Sequence, residues 1–242
     1  VNLYAEELVG RRDLVVRALS AKDLDEAIGV LRGTEFGAEA EAAHRLFKEK
    51  GEIQIFDLLL DGAFYKRLLD SYEGGLVYVA GLPVYRKRTP NYSQLRPFMA
   101  VDVDGYNLTT ILRCKLWDFS ATQIRDLILK ASYDVKEKVL DDMILAPTMD
   151  DAAKRIYDTP YRKIMPSGVS GVELISRFED ALQLLSFERA SSAFIWDRGG
   201  LSVVLGLIKL KELEVRNLSA IAFGVEQNIG YQAIVQKLTI MG

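Results

Sequence analysis

A chain of 242 residues, 49% hydrophobic and 27% charged, has room for one large domain or two ordinary ones and is too apolar and varied for a disordered tail or a collagen-like polymer. Its net charge of −3 supplies no overall basic field, so no nucleic-acid partner is expected. The longest nearly apolar stretch, 201–208, falls far short of the ~18 to 20 residues of a membrane-spanning helix, so no direct membrane span is expected.

In chain order, the sequence reads as mostly α. Ser20-Ala-Lys-Asp23 leads into Leu24, Ala27, Ile28 and Leu31, whose spacings of three and four residues share one helical face, and Gly33 marks the end. A second helix is expected over 52–72, with Phe56, Leu59, Leu60, Phe64 and Leu68 as its buried stripe. Gly74, Gly75, Gly81, Pro83, Pro90 and Pro97 then punctuate 74–97 around Leu76 to Val79, the one place for a hairpin or a long excursion. No glycine interrupts 106–167, and helices are expected near 98–117, 121–143 and 150–157, with capping boxes at Ser120/Gln123 and Thr148/Asp151. A break at 161–171 precedes a helix over 172–190, and the last helices cover about 201–223 and 230–238.

The two halves echo one another. Asp104-Gly-Tyr-Asn107-Leu108-Thr-Thr-Ile111 returns 110 residues later as Glu214-Val-Arg-Asn217-Leu218-Ser-Ala-Ile221. Phe56, Asp57 and Leu60 return after 122 residues as Phe178, Glu179 and Leu182. Ala27, Leu31, Thr34 and Phe36 return after 125 as Ala152, Ile156, Thr159 and Tyr161, in the same order. We therefore expect two related helical lobes, 1–132 with its 74–97 excursion and 133–242, with Asp57, Asp104, Asn107, Glu179, Glu214 and Asn217 as structural repeat positions. Asp104 lies among Ala100, Leu108 and Ile111, and Glu214 among Leu207, Leu210, Leu218 and Ile221, each within an apolar helical stripe. A carboxylate buried in this way must be paired or hydrogen-bonded, and Arg113 and Arg216 are the expected bases.

No constellation for catalysis stands out. His44 and Cys114 are the sole members of their types, so they form no zinc set and no internal disulfide. The lone cysteine and the lack of a leader-like start favour a reducing, cytoplasm-side compartment. His44, in the polar stretch 41–50, reads as a solvated helix residue, and Cys114 as buried packing. Asp141-Asp142 and Asp150-Asp151 read as acids at helix starts rather than metal ligands. Neither a phosphate loop nor a dinucleotide fingerprint is present, and no catalytic, cofactor-binding or metal residue and no cofactor is expected. Arg86-Lys87-Arg88, between Tyr85 and Tyr92, is the densest basic cluster: a solvated loop by default, and the candidate partner interface toward an acidic surface or lipid headgroups.

Asp104-Gly-Tyr-Asn-Leu-Thr-Thr-Ile-Leu-Arg-Cys-Lys115 resembles the acid-x-x-Asn-Leu-x-x-hydrophobic-Leu-Arg-x-Lys signature of the C-subunit family of the archaeal-type and vacuolar-type rotary ATPases, whose eukaryotic member is the d subunit. Glu214-Val-Arg-Asn-Leu-Ser-Ala-Ile-Ala222 is similar to that family's C-terminal segment, and Phe56-Asp57 and Phe178-Glu179 fall at its acid position. Pro147-Thr148 followed by Ala152 and Thr159-Pro-Tyr161 also fits, whereas Asp57 replaces the usual glutamate and 74–97 has no counterpart. The resemblance implies an all-α fold of repeated helical-bundle lobes forming part of a funnel-shaped protein, with a further lobe expected before Val1. It also implies a non-catalytic central-stalk part that links the shaft of the ATPase head to the membrane rotor ring and transmits torque for proton or sodium transport. Its partners would be shaft and rotor-ring subunits, and its place the cytoplasmic face of the membrane, held peripherally. The alternative is a helical-repeat interaction scaffold unrelated to rotary ATPases.

Overall fold

The structure, a computed structural model, describes residues 12–73, 75–79, 82–86, 92–196 and 200–238, and the side chains of 71–95 lie outside that description. The chain separates into two compact units, Val1–Asp70 and Ser71–Gly242.

In the first unit, α1 (Arg12–Leu19), α2 (Leu24–Leu31), α3 (Gly37–Lys50) and α4 (Ile55–Glu73) follow one another. The Asp23 carboxylate accepts the Glu26 N–H, and the Glu26 carboxylate accepts the Lys22 N–H, so both sides of the α2 start are capped. Gly37 opens α3 where a Cβ would lie 2.5 Å from the Arg32 carbonyl oxygen, so only glycine fits. Ile28, Ala40, Ala43, Ile55 and Leu58 form the buried side of this unit. The stripe expected along α4 is displaced: Ile55, Leu58 and Leu69 are buried, while Phe64 is 52% exposed. His44 is also less solvated than expected, with a side chain 13% exposed and its Nε2 3.3 Å from the Asp25 carboxylate, which Lys48 also meets at 2.9 Å.

The second unit begins with a hairpin at the position the glycines and prolines mark. Strands β1 (Gly75–Val79) and β2 (Leu82–Arg86) pair antiparallel from Gly75 opposite Arg86 to Val79 opposite Leu82. All the other elements are helical. They are α5 (Tyr92–Leu116), α6 (Ala121–Leu127), α7 (Glu137–Leu145), α8 (Met149–Arg155), two 3₁₀ turns (Ile156–Asp158 and Pro160–Ile164), α9 (Gly171–Trp196), α10 (Leu201–Glu226) and α11 (Tyr231–Lys237). The fold is all-α with this one hairpin among the described residues.

Helix α5 starts six residues earlier than Phe98 and runs through Pro97, whose carbonyl accepts a 2.6 Å bond from the Arg189 guanidinium of α9. From Phe98 to Cys114 it is buried nearly all round although it carries Asp102, Asp104, Asn107, Thr110 and Arg113, and it packs against α6, α7, α8, α9 and α10. Phe98 meets Ala190, Leu205 and Leu210 where α5, α9 and α10 converge. The helix expected over 121–143 is instead two: α6 ends at Leu127, and 128–136 is non-helical before α7. Because 128–134 is bonded directly to α5, residues on both sides of the expected 132/133 lobe boundary fall in one compact unit. The compact division at Asp70 and the sequence repeat therefore partition the chain differently.

Candidate functional site

The largest concentration of buried polar chemistry is on α5. The segment leaving α6 has no helix or strand of its own, and a buried backbone of that kind must find side-chain partners. Helix α5 supplies them. Asn107, fully buried, donates from Nδ2 to the carbonyls of Leu129 (3.2 Å) and Ala131 (2.9 Å), and its Oδ1 accepts the Leu129 N–H at 2.8 Å. One turn earlier, the fully buried Asp104 accepts the Tyr133 N–H on Oδ1 at 2.8 Å and the Asp134 N–H on Oδ2 at 2.7 Å. The Tyr106 hydroxyl donates to the Leu127 carbonyl at 2.9 Å, so three side chains within four residues hold the segment from 127 to 134.

A tyrosine closes the site from the other side. Thr159 caps the 3₁₀ turn that carries Tyr161, whose hydroxyl lies 2.8 Å from the Ala100 carbonyl and 3.2 Å from Asp104 Oδ2. At the rim, the Asp134 carboxylate takes Arg96 at 2.8 Å and Arg189 at 3.7 Å. Burial pushes the Asp104 carboxyl above its ordinary 3.8, and the two backbone N–H groups and the Tyr161 hydroxyl oppose the shift. Burial and the nearby Asp104 charge raise the Tyr161 phenol in turn.

Two ion pairs flank the clamp. Lys209 of α10 meets Asp102 of α5 at 2.8 Å; burial raises the Asp102 carboxyl against the pull of Lys209, and the carboxylates of Asp102 and Glu212 outweigh burial to raise the ammonium. Arg113 meets Glu179 of α9 at 2.7 Å, and burial raises the Glu179 carboxyl despite that guanidinium.

This geometry corrects the expected pairing. Asp104 is satisfied by backbone amides and a phenol rather than by Arg113, which serves Glu179 instead. Glu214 is not buried: its side chain is 54% exposed and pairs with Lys211 on its own helix at 2.5 Å, not with Arg216. Asp57 is exposed on α4, and Asn217 is half-buried on α10. Arg86 ends β2, but its side chain and the whole of Lys87 and Arg88 lie outside the described residues. Cys114 is fully buried, and burial pushes its thiol up to about 12. Arg96, Tyr106, Asp134 and Arg189 were not expected at a site. Their positions become meaningful only once 128–134 is known to be irregular.

A model of the ATP synthase (C/AC39) subunit family matches residues 8–237, nearly the whole chain. The chain belongs to this family. The alternative of a scaffold unrelated to rotary ATPases falls with that membership. The chain is similar to the C subunit of the A-type ATP synthase of Haloferax volcanii, 27% identical over 94% of this chain and 62% of that protein. It is similar also to those of Methanocaldococcus jannaschii, 24% identical over 95% and 57%, and Methanobrevibacter smithii, 24% identical over 84% and 51%. The chain thus spans between about half and three-fifths of the length of these relatives. No solved structure matches. Among the described residues, no helix is long and apolar enough to cross a membrane.

Proposed function

We propose that this member of the ATP synthase (C/AC39) family is a non-catalytic part of the central stalk, joining the shaft of the head to the membrane rotor ring and transmitting torque between them during ATP-coupled proton or sodium transport. The observation that carries the reading is the family match over residues 8–237. The clamp supplies a physical rationale. A part that carries torque must not yield at its connections, and here the irregular 128–134 connection is tied to the enclosed helix α5 by Asp104 and Asn107. In this reading the buried polar groups serve rigidity, and the protein sits peripherally on the cytoplasmic face of the membrane.

The experiment is purification of the intact complex from source membranes, followed by cross-linking and mass spectrometry. Co-migration with shaft and ring subunits, with cross-links to both, is the expected result. Recovery of the chain only free of the complex, or cross-linked solely to stationary subunits, overturns the rotor assignment.

A further inference from the structure

Between α8 and α9 the chain makes two 3₁₀ turns that sort its residues by chemistry. Ile156, Thr159 and Tyr161 are buried, whereas Lys154, Arg155, Tyr157, Asp158, Arg162 and Lys163 are all exposed. The span 154–163 thus presents four cations and one carboxylate to solvent, on a chain whose net charge is −3. Because buried residues interrupt them, these cations form no run in the sequence of the kind that Arg86-Lys87-Arg88 forms.

The mounting is stiff. Thr159 Oγ1 donates to the Ile156 carbonyl at 2.7 Å and accepts the Tyr161 N–H at 3.2 Å, which ties the first turn to the second. The Tyr161 hydroxyl donates to the Ala100 carbonyl at 2.8 Å and so anchors the second turn to α5. Charges held on an ordered backbone lose less freedom on meeting a partner than the same charges on a mobile loop. These charges are also available. Arg96, Arg113, Arg125, Arg177 and Arg189 of the same unit each lie within 3.7 Å of a carboxylate. Among the described residues, no ion pair or hydrogen bond engages the side chains of Arg155, Arg162 or Lys163. Lys154 has only Asp151 of its own helix, an exposed pair that is worth little and is readily exchanged.

We propose that the outer side of these two turns docks an acidic segment of a partner protein, whose carboxylates meet Arg155, Arg162 and Lys163 and whose base meets Asp158. The planar guanidinium groups of Arg155 and Arg162 suit paired bonds to carboxylates. Tyr157, 50% exposed and between them in the sequence, adds the aromatic contact area that charged side chains alone do not supply. Asp158 decides for a protein over a bilayer. A lipid surface presents anionic headgroups throughout and repels an exposed acid, whereas a polypeptide can set a base opposite one acid and acids opposite three bases. Such a contact fixes the orientation of the partner and weakens as salt rises. The inference rests on the reading of the chain as part of an assembly and does not depend on whether that part rotates.

Zero-length carbodiimide coupling of the intact complex from source membranes tests this, because it joins a lysine amine only to a carboxylate in direct contact. The expected product is an amide bond from Lys163 Nζ to an aspartate or glutamate of another polypeptide, formed less as salt is raised. Lys163 left uncoupled, or coupled only within its own chain, overturns the proposal. In parallel, the triple variant Arg155→Glu, Arg162→Glu and Lys163→Glu, all at exposed positions, lowers recovery of the whole protein with the complex about tenfold at about 0.1 M KCl and leaves its melting temperature unchanged. Undiminished recovery overturns the proposal as well; should the variant fail to fold, the coupling of the unsubstituted protein decides alone. Coupling of Lys163 to a stationary subunit upholds the docking surface and overturns the rotor assignment, whereas a chain found in the rotor with Lys163 uncoupled does the reverse.

Discussion

Replacing Asp104 separates the clamp from ordinary core packing. In Asp104→Ala the two backbone donors at Tyr133 and Asp134, now satisfied at 2.8 and 2.7 Å, lose their acceptors at once. Hydrogen bonds to a charged group contribute about 1.5–3 kcal/mol each, and relief of the buried charge offsets part of the loss, so the variant is less stable by about 3–5 kcal/mol. Asp104→Asn keeps one carbonyl oxygen but turns an NH₂ toward the other donor, and the cost is about 2 kcal/mol. Chemical denaturation followed by far-UV circular dichroism reads both. The pH dependence supplies a second check. Because burial holds the folded carboxyl above 3.8, the unfolded chain releases its proton first as pH rises past that value. The wild type therefore loses stability relative to Asp104→Asn across the window above pH 3.8, and the Asn variant costs more at about pH 4 than at about pH 7. Equal losses for Ala and Asn would refute the account of Asp104 as a buried acceptor of two amides, and the opposite pH slope would refute the claim that burial outweighs those amides in setting its pKa.

Other substitutions probe neighbouring parts of the same reasoning. Asn107→Ala removes three bonds to Leu129 and Ala131 and destabilises the second unit by about 2–3 kcal/mol, and hydrogen exchange should show the Leu129 amide losing protection. Lys209→Met strands Asp102 and costs about 3 kcal/mol, whereas the Asp102→Leu/Lys209→Met pair recovers most of it in a double-mutant cycle; additive losses would deny the coupling. Gly37→Ala lowers stability by about 1–3 kcal/mol although alanine is the better helix former, since its Cβ would meet the Arg32 carbonyl; a stabilised variant would contradict that geometry. Cys114, buried and with its thiol raised to about 12, resists iodoacetamide at about pH 8 in the folded protein and reacts only after denaturation, as intact-mass spectrometry would show.

The features legible in the sequence were those whose chemistry is local. Ser120 and Gln123 form a reciprocal cap because both partners lie within one turn, and the glycines and prolines after Gly74 mark the hairpin because they restrict their own backbone. The non-helical segment 128–136 was not legible. Leu127, Ile128 and Leu129 continue a helix-compatible apolar run, and what draws that backbone out of a helix is Asn107 and Asp104, which lie more than twenty residues earlier. The same distance explains the mistaken partner for Asp104. Flanking leucines reveal that an acid is buried, and the nearest base is then the natural candidate, but the groups that satisfy it are amides brought in by the chain's return.

Glu214 shows the complementary limit. Its motif repeats that of Asp104 in the acid, the Asn-Leu pair and the isoleucine, and the same reasoning from apolar neighbours assigns both acids to a core, yet one is fully buried and the other half-exposed. Periodicity specifies that a helix has an apolar face; it does not specify what covers the face. On α5 the cover is the return of the chain through 128–134 and α7–α8, and the Asp104 carboxylate is satisfied as that cover arrives. On α10 the same face carries exposed leucine, isoleucine and valine side chains beside a buried serine hydroxyl without a partner. An acid in such a row is not thereby buried: Glu214 keeps a surface ion pair with Lys211 three residues away on its own helix, and its apolar neighbours give no sign of which base it meets.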